Sequence, residues 1–141
     1  MIREKYDFRF YAVAGEHPVV RAFVAAHFRA HGYSAEAQPS SHDWVAVERH
    51  GGIYTVFGWR REGTAIVIDD FYAYPSRWGT LACYAALEYI KAQADRAGVC
   101  VVTATPRENT RMIRAYKRVL GLTEPALLVY RYTPAVAAGE D

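Results

Sequence analysis

The chain is poor in cysteine, in net charge and in long apolar runs, and each lack excludes something. Two cysteines in 141 residues, Cys83 and Cys100, cannot build the disulfide framework of a small secreted domain. They do not form a C-x-x-C pair, so redox chemistry is not indicated. Both sit inside apolar patterns, and buried thiols in a reducing compartment are the expectation. Lysine and arginine total 17 against 15 acidic residues, a formal charge of +2, so nothing points to a nucleic-acid or membrane partner. No apolar stretch reaches the roughly 20 residues that a spanning helix needs. The opening "MIREKYDFRF" is charged and has no apolar h-region, so it does not read as a signal peptide. There is no G-x-S-x-G nucleophile elbow and no internal repeat. The expectation is a soluble, intracellular protein with one domain over residues 1–141 and a frayed tail over 134–141.

What is present is a strong alternation of patterns. "KYDFRFYAV" puts Tyr6, Phe8 and Phe10 on one side and Asp7 and Arg9 on the other, as a half-buried strand does. "HPVVRAFVAAHFRAHG" has Pro18 suited to a first helical turn, Gly32 suited to its end, and a stripe of Val20, Phe23, Val24 and His27. The polar loop "YSAEAQPSSHD" follows. Three strand-like runs, "WVAVER", "IYTVFGWR" and "TAIVIDDFYAY", are then divided by the turn signals "HGG" and "REG". Cys83, Ala86, Leu87, Ile90 and Ala94 make a helical stripe that Gly98 closes, with the helix beginning near Thr80. "VCVVTAT" is continuously apolar and β-branched, as in a strand covered on both faces. "RENTRMIRAYKRVLGL" reads as a last helix and "ALLVYRY" as a last strand. A meander followed by a β-α-β crossover implies an α+β fold: a mixed, mostly antiparallel sheet with helices on its faces.

Several residues invite chemistry. The segment "YPSRWGTLACYAAL" carries a strand into a helix, and backbone N–H groups at a helix start can hold an anion. Arg77, Gly79 and Thr80 would serve there as cation, slim turn and hydroxyl donor. On the residues alone the same segment reads first as a plain capped helix, with Ser76 or Thr80 as the cap. Asp69 and Asp70 lie late in the fourth strand, and alternation allows only one of them to face a given side; Glu48, in the second strand, is a third carboxylate. Tyr116 shares a face with Met112, Ile113 and Leu120, so on spacing alone it reads as core with its hydroxyl at the rim. Arg107, Arg111, Arg114 and Arg118 form the opposite face, which reads as solvated. His27 and His31 have chelating spacing but no third ligand at a recognisable distance, so no metal is expected.

The element order, "AYPSRWGTLA" and "ENTRMIRAYKRVLGL" together resemble the GNAT superfamily of acyl-CoA-dependent N-acetyltransferases, from about Tyr6 to Tyr132. The resemblance is carried most by Asn109, by Tyr116 seven residues on, and by the closing Leu120–Gly121–Leu122. The loop matches badly and reads as an eroded pyrophosphate loop, because either register loses a glycine that lets backbone approach the pyrophosphate. Where the family has Arg or Gln, two residues, Gly, one residue and then Gly or Ala, this chain offers Arg77, Thr80 and Ala82, or else Trp78-Gly79 followed by Leu81 and Cys83. The resemblance implies acetyl-CoA as co-substrate and an amine of a small molecule or protein as acceptor. It implies Tyr116 as the acid that protonates the thiolate and Asp70 or Asp69 on the base side. Backbone N–H groups from Phe71 to Ala73 would polarise the thioester, and Arg77, Trp78, Gly79, Thr80 and Asn109 would contact the cofactor. The alternative is a catalytically inactive GNAT-fold assembly protein, comparable to small structural proteins of tailed phages, with protein partners or copies of itself in place of substrates.

Overall fold

The computed structural model describes residues 7–30, 43–103 and 110–121. Eight elements follow one another: β1 (Arg9–Val13), α1 (Pro18–Ala30), β2 (Asp43–Arg49), β3 (Gly52–Glu62), β4 (Ala65–Ala73), α2 (Arg77–Ala97), β5 (Cys100–Thr103) and α3 (Thr110–Leu120). The strands form one sheet in the order β1-β2-β3-β4-β5. The first three pairings are antiparallel, and β4 pairs with β5 in parallel across the α2 crossover. This is the mixed α+β sheet expected from the sequence. The expected last strand, "ALLVYRY", and the tail lie outside the described residues.

Turn chemistry fixes the meander. Between β2 and β3 the loop is His50-Gly51, both at positive φ (51° and 87°), the sign pattern of a type I′ hairpin. Register then shifts twice, and each shift leaves one residue without a cross-strand partner. Tyr54 is passed over between Val47–Thr55 and Glu48–Ile53. Asp69 is passed over between Gly58–Asp70 and Trp59–Ile68. Both are β-bulges.

Helices cover the two faces of the sheet separately. Val20 and Val24 of α1 pack on Trp44, Ala46 and Val56, with Phe23, Ile53 and Tyr72 at the margin. On the other face, Ala82, Cys83, Ala86, Leu87, Ile90 and Ala94 of α2 and Ala115 and Tyr116 of α3 pack on Phe8, Val45, Val47, Phe57, Ile66 and Ile68. A run of aromatic contacts crosses this second face: Phe10 stacks on Tyr89, Tyr89 leans on Trp59 and Phe57, and Phe57 stacks on Phe71. The thiol of Cys83 meets the Met112 sulfur at 3.6 Å and ties α2 to α3.

The thiol expectation holds for one cysteine. Cys83 is buried, and burial pushes its thiol up to about 12. Cys100 is exposed, because it opens β5 beside the β3–β4 turn and lies at the mouth of the strand. Its amide and its thiol both donate to the Thr64 carbonyl.

Candidate active site

The fourth strand and the turn after it gather most of the residues that the sequence singled out. The last described parallel pair is Ile68 with Thr103, while β4 itself continues to Ala73. Tyr74 donates its N–H to the Tyr54 carbonyl at 2.8 Å. Tyr74 and Tyr72 therefore aim their amides at β3, and antiparallel alternation turns the Phe71 and Ala73 amides to the other side, where β5 lies. These are the two N–H groups that the resemblance singled out in the sequence.

The Asp69 bulge alters the carboxylates. Adjacent strand residues were expected to face opposite ways, but the extra residue resets the alternation. The Asp69 carboxylate takes the Arg60 Nε–H at 2.8 Å, and Arg60 stands across from Val67, on the face away from Ile66 and Ile68. Asp70 accepts from the Tyr72 hydroxyl at 2.8 Å, and Tyr72 packs among the α1-side residues. Both carboxylates thus lie on the α1 face. Arg60 also pairs with Glu62 at 2.9 Å, so Asp69 belongs to a surface ion-pair network. The Tyr72 phenol is held well above its usual range by burial first and by the Asp70 charge second, so it stays protonated and donating.

Tyr116 lies on the opposite side of β4. It is 2% exposed and meets Phe71 edge-on, ring centres 6.4 Å apart. It is a core residue by burial, and its neighbour in the core is a residue of the candidate thioester segment. Glu48 is remote from this group: its Oε2 accepts the Gly51 N–H and pins the β2–β3 turn. Asn109, Arg107 and His31 lie outside the described residues. Arg111, Arg114 and Arg118 are exposed, as a solvated face should be.

The turn into α2 is tighter than its sequence suggested. The strand ends at Ala73 and the helix begins at Arg77, three residues before the expected start. Ser76 is the N-cap: its hydroxyl accepts the Gly79 N–H at 3.1 Å, and its carbonyl accepts the Thr80 N–H at 3.0 Å and the Thr80 hydroxyl at 3.2 Å. Gly79 owes its identity to the fold. A Cβ there would lie 1.8 Å from the Tyr74 carbonyl oxygen, so the space beside it is filled by the chain's own backbone. The surroundings are nevertheless suited to an anion. The Arg49 guanidinium sits 3.7 Å over the Trp78 ring, and that of Arg77 lies 6.0 Å from the same ring, both at the positive end of the α2 dipole. Arg49 was not among the residues read from the sequence. It is distant in the chain, and only the β2–β3 hairpin brings it here.

Among the described residues, no group of three or more His, Cys, Asp and Glu side chains could hold a metal ion. No described helix is long and apolar enough to cross a membrane.

No protein-family model and no curated protein sequence matches the chain. Solved structures do match. A probable acetyltransferase superposes with a TM-score of 0.64 at 12% identity, covering 82% of this chain and 90% of that one. The ribosomal-protein-alanine N-acetyltransferase of Brucella melitensis biovar Abortus 2308 gives 0.60 at 11% identity, covering 83% and 94%. The chain has the GNAT acetyltransferase fold. An aminoglycoside N-acetyltransferase in complex with CoA gives 0.54 at 13% identity, covering 83% of this chain and 88% of that one. Identities this low establish the GNAT architecture and leave the chemistry to the residues present.

Proposed function

We propose that this GNAT-fold protein is an acetyl-CoA-dependent N-acetyltransferase whose acceptor is an amine of a small molecule or protein. The observation that carries the reading is the direction of the Phe71 and Ala73 amides. They point away from β3, past the last described β4–β5 pair and beside the capped start of α2. The CoA complex of a protein with the same fold supports the choice of co-substrate.

Bound acetyl-CoA would supply an activated acyl group, and the residues fit its charge. Arg77 and Arg49 offer cations at the α2 N-terminus, where Trp78 adds an aromatic face. The Gly79 N–H is already taken by Ser76, and Thr80 is committed to the same cap, so neither is counted as a donor to the pyrophosphate. The loop thus binds through cations more than through a glycine cradle.

In the reaction the acceptor nitrogen attacks the thioester carbonyl. A C–N bond forms and the C–S bond breaks. The Phe71 and Ala73 amides stabilise the charge that develops on the carbonyl oxygen. Tyr116 gives its phenolic proton to the departing thiolate, whose conjugate acid is the stronger acid of the two in water. Asp70 receives the proton lost by the amine, directly or through water. Asp69, held by Arg60, is not needed for this step. Tyr116 and Asp70 act from opposite faces of β4, so acid and base do not exchange the proton with each other.

Thermal unfolding with acetyl-CoA tests the reading, because a ligand that binds only the native state must stabilise it. A rise of several degrees at millimolar acetyl-CoA, reduced in Arg77→Ala and in Arg49→Ala, is expected. No shift with either acetyl-CoA or CoA would overturn the proposal and return the chain to a non-catalytic role for the same fold.

A further inference from the structure

Asp70 does not stand alone on the α1 face. Its Oδ1 accepts the Tyr72 hydroxyl at 2.8 Å, and the Tyr72 ring is clamped from two elements. His27 of α1 lies 4.8 Å from it, centre to centre, and Trp44 of β2 stacks at 6.4 Å with planes 15° apart. Trp44 is 1% exposed and cannot move without disturbing the α1 core. A phenol ring held in this way fixes the position of its oxygen, and the hydrogen bond from that oxygen to Oδ1 orients the carboxylate. Asp69, one residue away, is held by the exposed guanidinium of Arg60 instead. The two neighbours therefore differ in what orients them: an exposed ion pair for Asp69 and a half-buried phenol for Asp70.

We propose that Tyr72 is a positioning residue: it holds the Asp70 carboxylate at the angle from which it meets the acceptor amine, and His27 and Trp44 hold Tyr72. The inference rests on the acetyltransferase reading, in which Asp70 takes the amine's proton. It adds a route by which α1 acts on the reaction. The first helix fixes the base from the side opposite to the one on which Tyr116 and the aromatic run lie. A carboxylate oriented by a neutral, protonated phenol keeps its own charge through that contact, which suits a partner that arrives as an ammonium group.

The test is a double-mutant cycle on the full chain, with Tyr72→Phe, Asp70→Asn and the pair, assayed by acetyl transfer to a panel of primary amines. Tyr72→Phe keeps the ring between His27 and Trp44 and removes only the hydroxyl. Expected is a fall of about tenfold or more in kcat/KM for the amine, with the KM for acetyl-CoA and its thermal shift unchanged. In the Asp70→Asn background the same change should cost less than about twofold, since Tyr72 acts through Asp70. An equal loss in both backgrounds, or no loss in either, overturns the positioning role while leaving the acetyltransferase reading intact. A wild-type protein with neither an acetyl-CoA shift nor turnover overturns the reading itself, and the role of Tyr72 with it. Should Tyr72→Phe fold poorly, His27→Ala provides the second arm, because it loosens the clamp without touching the hydroxyl. It should then lower the same kcat/KM, again only while Asp70 is present, and equal losses with and without Asp70 would overturn the clamp.

Discussion

Replacing Gly79 with alanine adds one methyl group to the first turn of α2, at a point where the chain has closed on itself. The new Cβ would lie 1.8 Å from the Tyr74 carbonyl oxygen and 2.8 Å from its carbon. The carbonyl has little room to retreat. Its oxygen accepts the Ser76 N–H at 2.8 Å, and the Tyr74 N–H is bonded to Tyr54 in β3 at the same distance. Relief requires the helix start to move by more than about 1 Å, which sacrifices the Ser76 cap on Gly79. Loss of the cap costs about 1 kcal/mol. Overpacking and the weakened turn bond add roughly 2 kcal/mol. A total near 3 kcal/mol corresponds to a fall in Tm of about 10 °C for a domain of this size. Urea denaturation of Gly79→Ala beside Ser76→Ala checks the reasoning, the latter losing about 1 kcal/mol. The loss must appear without any ligand, because the clash is with the protein's own backbone. If Gly79→Ala unfolds within about 0.5 kcal/mol of wild type, the close approach of the Tyr74 carbonyl is refuted.

Four further outcomes are expected. Asp70→Asn should lower turnover severely while Asp69→Asn leaves it within about threefold, since Arg60 already engages Asp69 in an exposed ion pair; comparing kcat for the two settles it. Tyr116→Phe should cut kcat by about 100-fold with little change in stability, as the ring contact with Phe71 remains. Ellman's reagent should label the exposed Cys100 quickly and the buried Cys83 only on unfolding. Stability should also fall above pH 9. The Cys83 thiol ionises near 9.0 when unfolded and near 12 when folded, so its contribution is complete below the first value and is lost as pH rises towards the second. Cys83→Ala should flatten that slope in pH-dependent denaturation.

The periodicities of the sequence carried the architecture. The α2 stripe of Cys83, Ala86, Leu87, Ile90 and Ala94 is the buried stripe, and the β-branched run before Thr103 is the parallel strand. His50-Gly51 marked its turn because positive φ there is a local property. What the sequence hid was non-local. A bulge depends on the register of β3 against β4, and neither strand alone shows where the count changes, so Asp69 and Asp70 were assigned to opposite faces. Arg49 joins the α2 start only through a hairpin. Cys100 has apolar neighbours in sequence yet opens its strand in the open. The α2 start is masked by Trp78 and Gly79, a pair that imitates a loop although Ser76 caps a helix that begins at Arg77. The glycine that suggested a ligand's approach answers to Tyr74 instead.

The β4 bulge has a consequence for how such a strand can change over generations. Ile68 faces α2, Asp70 faces α1, Phe71 faces α2 and Tyr72 faces α1, which is the order that an ordinary strand lacking Asp69 would also show. The surplus residue is therefore silent in register: its insertion or deletion leaves every other side chain on its own face and every cross-strand partner unchanged. The bend of the strand and the exposed Arg60–Asp69 ion pair record it. A single codon at this point adjusts the angle at which the end of β4 approaches α2 while the two cores are left as they were, so the aim of the site and the stability of the fold can vary separately.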